Sequence, residues 1–124
     1  MLTSLHLQES RKLITFPENW CKGDLARTNH NVRTSPWGTT ASQWCMIGAF
    51  CHVSARDGLL VSTNKKARDF LQLAIAELFP SYDLAVARFN DSHTHQQVLQ
   101  VYDLAIAKAL EAEKEAGIAG GRIK

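Results

Sequence analysis

The stretch that decides the fold is THQQVLQVYDLAIAKAL, residues 94–110. At the start of a helix, the Thr94 side chain can accept a hydrogen bond from the backbone N–H of Gln97. The Gln97 side chain can accept one from the backbone N–H of Thr94, and this pair of bonds is a capping box. Apolar residues then recur every three or four positions, as on one face of an α-helix. They are Val98, Val101, Tyr102, Ala105 and Ala109. Neighbouring leucines and isoleucine widen this face, which predicts contacts on more than one side, within the fold or in a homo-oligomer.

The most apolar part of the chain, residues 41–53, predicts a buried central helix. Thr39 or Thr40 would supply its N-cap, and Gly48 beside Ala49 would let another helix approach closely. A buried strand is the alternative, because a short apolar run has no period that separates the two.

Shorter patterns complete the fold. Further predicted helices begin at Ser4, at Pro17, near Ser62 and at Ser81. Residues 28–40 are rich in threonine, asparagine, proline and glycine, and they predict a long loop in which Trp37 packs back onto the body. The expected fold class is therefore all-α, a compact orthogonal bundle of about five helices with one long loop. Residues 1–116 would form a single domain and residues 117–124 a flexible tail.

The composition is that of an ordinary globular domain. Among 124 residues, 45% are hydrophobic and 21% are charged, and the net charge is +2. Because positive and negative charges are nearly balanced, the composition argues against a nucleic acid or a membrane as the partner. No run approaches the ~18 apolar residues that span a bilayer. No secretory leader is recognised before the cysteines, so we expect a cytoplasmic protein with reduced thiols.

Two polar clusters could together form a binding site. In one, Cys45 enters the predicted central helix behind the threonine-rich loop, and in the other, polar side chains fill the turn before the last helix. Tryptophans could stack on a ligand, Arg27 could pair with phosphate or carboxylate, and helix N-termini could receive an anion. The candidate ligand-binding residues are Trp20, Arg27, Trp44, Cys45, Asn90, Asp91 and Thr94. The alternative is that the tryptophans belong to the core and the polar residues only cap helices.

A second hypothesis is enzymatic. The helix dipole would lower the pKa of Cys45, and His93 or His95 could act as the base, oriented by Asn90 or Asp91. That set would support a hydrolase or transferase with a thioester intermediate. An inert buried cysteine is the alternative. The same side chains include metal-ligand types, but no specific spacing such as CxxC or HExxH is present, so we expect no metal and no cofactor.

Three short motifs are spread over the chain. They are Trp20-Cys21-Lys22-Gly23 followed by Ala26-Arg27, then Trp44-Cys45-Met46-Ile47-Gly48-Ala49, and Phe89-Asn90-Asp91 before Thr94 and Val98. From about residue 5 to residue 110, the sequence resembles a family of small bacterial and phage proteins whose function is uncharacterised. The resemblance implies no activity. It implies only that the motif residues belong together, either in a site or in a fold-defining polar core.

The sequence therefore predicts a small non-enzymatic binding domain, phage-derived if the resemblance extends to origin. Its partner would be a small polar or anionic ligand, such as a nucleotide-like molecule, or a host protein. A homo-oligomer would form through the helix of residues 94–110.

Overall fold

The computed structural model describes residues 1–59, 61–81 and 85–117. Residues 118–124 of the predicted tail lie outside this part of the chain. Within it, the elements in chain order are α1 (Thr3–Leu13), a 3₁₀ helix (Pro17–Asn19), β1 (Ala26–Arg27), β2 (Gln43–Trp44), α2 (Met46–Asp57), α3 (Val61–Leu78), α4 (Val86–Ser92) and α5 (His95–Glu115). The predicted all-α class is confirmed, with a minor two-stranded ribbon added.

Helix α5 packs against two other helices, α1 and α3. Its capping box is formed as predicted, with Gln97 N donating to Thr94 Oγ1 at 3.1 Å and Thr94 N donating to Gln97 Oε1 at 2.9 Å. The five stripe residues are buried where α5 packs against α1 and α3. Burying each large apolar side chain contributes about 1.5–3 kcal/mol. Two neighbouring helices of the same chain therefore account for much of the width of this face. No helix in the described ranges has the length and apolar character needed to cross a bilayer.

Helix α2 begins later than predicted. It starts at Met46, and its N-cap is Cys45, whose Sγ accepts a hydrogen bond from Gly48 N at 3.3 Å. The prediction that Thr39 or Thr40 caps this helix is wrong. The residues just before Cys45 are extended because their backbone groups pair with another strand.

That pairing forms a small sheet at the base of the long loop. Gln43–Trp44 pairs antiparallel with Ala26–Arg27, with Ala26 opposite Trp44. Trp20 bridges Trp44 in parallel, and Arg33 bridges Arg27. The region predicted as one helix or one strand thus contains both, a strand over residues 43–44 and a helix from residue 46.

One further helix start agrees with prediction and another does not. Helix α3 begins at Val61, next to Ser62, whereas the N-cap of α4 is Ala85, not Ser81. The predicted polar break before α5 is also shorter, because Asn90 and Asp91 belong to α4. Polar residues can end this helix because their side chains find partners inside the protein, as described next.

Candidate functional site

Asn90 is fully buried near the end of α4, at the junction that the sequence predicted. Its Oδ1 accepts hydrogen bonds from Trp20 Nε1 at 2.7 Å and from Met46 N at 3.1 Å. Its Nδ2 donates to the carbonyl oxygen of Cys21 at 3.0 Å and to Asp91 Oδ1 at 3.2 Å. Both donors and both acceptor positions of the amide are therefore used inside the protein. One side chain ties α4 to the first turn of α2 and to the segment before β1.

Asp91 extends this hydrogen-bond network to the turn at Gly23. Its Oδ1 also accepts the backbone N–H of Gly23 at 2.9 Å. Gly23 has φ of 84°, in the left-handed region that glycine adopts without strain. This one contact therefore gives a structural role to two motif residues, Gly23 and Asp91. We call the group of Trp20, Gly23, Cys45, Asn90 and Asp91 the polar clasp.

Cys45 belongs to the polar clasp through its place before Met46, whose N–H donates to Asn90, and it is the N-cap of α2. It is 4% exposed, and its backbone N donates to the carbonyl oxygen of Leu25 at 3.1 Å. A β-carbon on Gly48 would overlap that same carbonyl oxygen, so glycine is required for this close approach. Burial raises the pKa of the Cys45 thiol, and the amides of Gly48 and Ile47 oppose this only in part. Burial of Cys45 therefore opposes formation of the thiolate that a nucleophile requires.

The two histidines of the enzymatic hypothesis point their ring nitrogens at other groups. His93 Nδ1 lies 2.9 Å from the carbonyl oxygen of Phe89, on whose ring it stacks with centroids 3.8 Å apart. His95 Nε2 lies 2.6 Å from the carbonyl oxygen of Ile14. No hydrogen bond between described residues joins either histidine to Cys45. Across the same ranges, no cluster of three or more metal-ligating side chains could hold an ion.

Arg27 and Arg33 share one carboxylate, that of Asp24, which the sequence had not singled out. Arg27 donates from Nε to Asp24 Oδ2 at 2.8 Å, from Nη1 to Asn31 Oδ1 at 3.1 Å and from Nη2 to the carbonyl oxygen of Lys22 at 2.7 Å. Arg33 donates from Nε to Asp24 Oδ1 at 2.7 Å. The two guanidinium groups hold the pKa of Asp24 below its usual value. In the sequence, Asp24 is marked by its position among the basic residues Lys22, Arg27 and Arg33.

The long loop is folded in its first half. We call residues 28–42 the tryptophan loop. Thr28 N donates to the carbonyl oxygen of Val32 at 2.8 Å, and Asn31 adopts φ of 63° in this turn. Thr34 N then donates to the carbonyl oxygen of Ala26 at 3.1 Å, which returns the chain to β1.

The second half of the tryptophan loop carries an exposed indole. Gly38 N donates to the carbonyl oxygen of Ser35 at 3.3 Å, closing a turn with Pro36 at its second position. The carbonyl oxygen of Pro36 lies 2.8 Å from Nδ1 of His52 on α2. Trp37, the next residue, is 58% exposed. The prediction that it packs back onto the body is wrong, because Pro36 makes the anchoring contacts instead.

The remaining predicted site residues have separate places. Trp44 is buried, with its ring 5.0 Å from that of His52, and its Nε1 has no hydrogen-bond partner among the described residues. Thr94 caps α5, and its hydroxyl accepts from Gln97. The structure therefore brings Trp20, Cys45, Asn90 and Asp91 into one polar cluster, while Thr94 serves its own helix.

Two depressions lie beside the polar clasp. The smaller, of about 150 Å³, is lined by Gly23, Asp24, Leu25, Cys45, Ala87 and Asp91. The larger, of about 360 Å³, is lined by Gly23, Asp24, Leu25, Arg33, Thr34 and Pro36. Their shared lining makes them neighbours, and only the larger one reaches the tryptophan loop.

Fold and site together define a small helical domain whose motif residues support the base of an ordered loop. Residues 2–108 match the model of a family of unknown function, and the chain belongs to that family, DUF6197. No significant match to the chain is found among curated proteins or among solved structures. The expected membership in a family of uncharacterised function is confirmed, whereas the assignment of its motifs and the bacterial or phage origin stay predictions.

Proposed function

We propose that the chain is a non-enzymatic binding domain that recognises another protein through Trp37. The observation that carries this proposal is that the indole is 58% exposed while its neighbours are held in place. Trp37 N donates to Ser35 Oγ at 3.2 Å, and Pro36 is fixed to His52. Tryptophan is enriched among the residues that dominate binding energy at protein interfaces. Ordering it before binding reduces the entropic cost of association.

The polar clasp also supports this proposal, because it holds the base of the tryptophan loop. Asn90 bonds to the segments on both sides of the small sheet, at Cys21 and at Met46. That sheet closes the base of the tryptophan loop. The motif residues would thus act as positioning residues for the loop, without touching the partner.

A protein is better supported than a small ligand as the partner. The depression that Cys45 and Asp91 line has about 150 Å³, below the ~300–1,000 Å³ of ordinary small-molecule sites. The neighbouring depression of about 360 Å³ is large enough, but it excludes Cys45, Asn90 and Asp91 and lies beside the exposed Arg33. The amide of Asn90 has no donor left for a ligand, since both of its N–H groups are already bonded. An exposed tryptophan on an ordered loop needs no cavity of its own, because it can enter a pocket of the partner.

The test is site-specific photo-crosslinking in cells that naturally produce the chain. A benzophenone amino acid replaces Trp37 in one variant and Leu73 of α3, which is 55% exposed, in the matched control. We expect a discrete protein adduct from position 37 that position 73 does not give. An adduct with the mass of two copies would identify the partner as the chain itself, through the tryptophan loop and not through α5.

Two results would contradict the proposal. One is identical adducts from both positions, since this reports only general surface contact. The other is the absence of any position-37 adduct when the variant is expressed and folded as judged by circular dichroism.

A further inference from the structure

We infer that the partner presents an acidic peptide segment, with a carboxylate on Arg33 and an apolar side chain against Trp37. This inference rests on the proposed function and specifies its partner.

The charge around the tryptophan loop is the first reason. Between residues 22 and 43, Lys22, Arg27 and Arg33 are the basic residues with a fixed charge, and Asp24 is the lone acid. Asp24 accepts hydrogen bonds from both arginines, so its charge is already compensated. The segment therefore keeps a net positive charge that a negative partner would complement.

The different use of the two arginines is the second reason. Arg27 is committed through all three of its guanidinium nitrogens. Arg33 is 81% exposed, and among the described residues it donates a hydrogen bond from Nε alone. Its two terminal NH₂ groups are thus available as a fork, the geometry that binds a carboxylate through two parallel hydrogen bonds.

The shape beside Arg33 is the third reason. The depression of about 360 Å³ lies between Arg33 and Leu25 and reaches Pro36, the residue before Trp37. The hollow is thus lined by a cation, by its ion-pair partner Asp24 and by the apolar Leu25, and Trp37 follows its Pro36 side in the chain. A short extended peptide that alternates acidic and apolar side chains would contact Arg33, the hollow and Trp37.

A peptide fits these features better than a nucleic acid. Single-stranded nucleic acid is bound by a track of cations and several stacking aromatic side chains. In the tryptophan loop, Trp37 is the single aromatic residue and Arg33 the single arginine. The net charge of the chain is only +2, which gives weak long-range attraction for a polyanion.

The experiment is selection of short random peptides, displayed on phage, against the immobilised full chain. We expect the enriched peptides to contain an excess of aspartate and glutamate beside at least one large apolar residue. A synthetic copy of the most enriched peptide is then titrated by fluorescence anisotropy at low and high salt. Its affinity should fall as salt rises, because the ion pair with Arg33 is exposed.

Variants then assign the binding to the two residues. Trp37→Ser should weaken the selected peptide about thirtyfold or more. Arg33→Gln should weaken it about tenfold, and Arg33→Lys should restore only part of the loss because the fork is absent. Arg68→Gln, which removes an exposed arginine from α3, is the matched control and should leave the affinity unchanged. Circular dichroism confirms that each variant is folded.

The outcomes separate this inference from the proposed function. Enriched peptides that depend on Trp37 but lack acidic residues, or that bind Arg33→Gln normally, overturn the carboxylate inference and leave the proposed function intact. Binding of oligothymidylate that Trp37→Ser removes, with no acidic peptide enriched, overturns it in favour of a nucleic acid. If no peptide depends on Trp37 and photo-crosslinking at position 37 also fails, both proposals fall.

Discussion

The carboxylate of Glu113, near the end of α5, accepts hydrogen bonds from both the backbone N–H and the hydroxyl of Ser4, at 2.9 and 2.6 Å. Helix α1 has no side-chain cap of its own, since Leu2 occupies the N-cap position. The buried anion of Glu113 therefore satisfies an N-terminal amide of α1 and interacts favourably with its dipole.

We predict that Glu113→Ala lowers the free energy of unfolding by about 2 kcal/mol, since it leaves a buried amide and hydroxyl without partners. Glu111→Ala, an exposed position on the same helix, should change it by less than ~0.5 kcal/mol. Urea unfolding followed by tryptophan fluorescence measures both. Equal effects of the two substitutions would show that Glu113 does not cap α1.

Asn90→Asp tests the polar clasp with almost no change in side-chain volume. A carboxylate oxygen would replace the amide that donates to Cys21 and would face Asp91. We expect a loss of about 3 kcal/mol or more in unfolding free energy, because a buried charge would lie beside two acceptors. Asn29→Asp, at an exposed position, is the control and should be close to neutral. A stable Asn90→Asp variant would mean that the hydrogen bonds of Asn90 contribute little.

Gly48→Ala should change the stability in the direction opposite to the usual effect of this substitution. In a helix interior, replacing glycine by alanine usually stabilises by about 0.5–1 kcal/mol. Here the added β-carbon would overlap the carbonyl oxygen of Leu25, so we expect destabilisation of about 1–3 kcal/mol. Thermal unfolding distinguishes the two. A raised melting temperature would contradict the close approach of α2 to this segment.

Stability should fall in mildly acidic solution because of His6. This side chain is fully buried and its Nε2 lies 3.0 Å from the carbonyl oxygen of Phe50. Burial lowers its pKa below the ordinary 6.5, although Phe50 and Asp57 oppose the shift. The unfolded chain then binds a proton more readily than the folded one, so unfolding free energy decreases as pH falls below 6.5 toward the folded pKa.

The measurement is urea unfolding at several values between about pH 7 and 5, where histidines titrate. His6→Gln should flatten the pH dependence, and His30→Gln, at an exposed position, should not. Lowered carboxyl pKa values, as at Asp24 and Asp57, act in a separate window, below the ordinary carboxyl pKa near 3.8. If the unfolding free energy of His6→Gln still falls between about pH 7 and 5, another group causes the pH dependence.

Cysteine labelling tests the enzymatic hypothesis directly. Burial, and then the neighbouring Cys45, raise the pKa of Cys21 to about 12, and burial also raises that of Cys45. Cys51 is only partly buried. With iodoacetamide at neutral pH, we expect Cys51 to be modified first, and Cys21 and Cys45 only after denaturation, as read by mass spectrometry. Rapid modification of Cys45 in the folded protein would favour a nucleophile.

Features that depend on neighbours in sequence were predictable. The capping box of Thr94 and Gln97 and the apolar face of α5 follow from a spacing of three and four residues, and both occur as expected. The motif residues were expected to lie together, and Trp20, Asn90 and Asp91 do.

Features that depend on distant partners were not predictable. Cys45 replaces Thr39 and Thr40 as a cap because the residues before it pair with β1, which no local period reveals. Trp37 is exposed because Pro36 takes the contact with His52. Sequence patterns show which residues are polar or apolar, but the choice among several competing partners is made in three dimensions.

The small sheet beneath the tryptophan loop has a consequence for how such a domain can diversify. Ala26–Arg27 and Gln43–Trp44 close the loop at its base, and the carbonyl oxygen of Pro36 contacts His52 of α2. Doubling the length of a flexible loop costs only about 0.6 kcal/mol in closure entropy. The helical body can therefore act as a scaffold on which residues 29–41 are exchanged or lengthened. Under the proposed recognition through Trp37, replacing this one segment would change the specificity while the rest of the fold is retained.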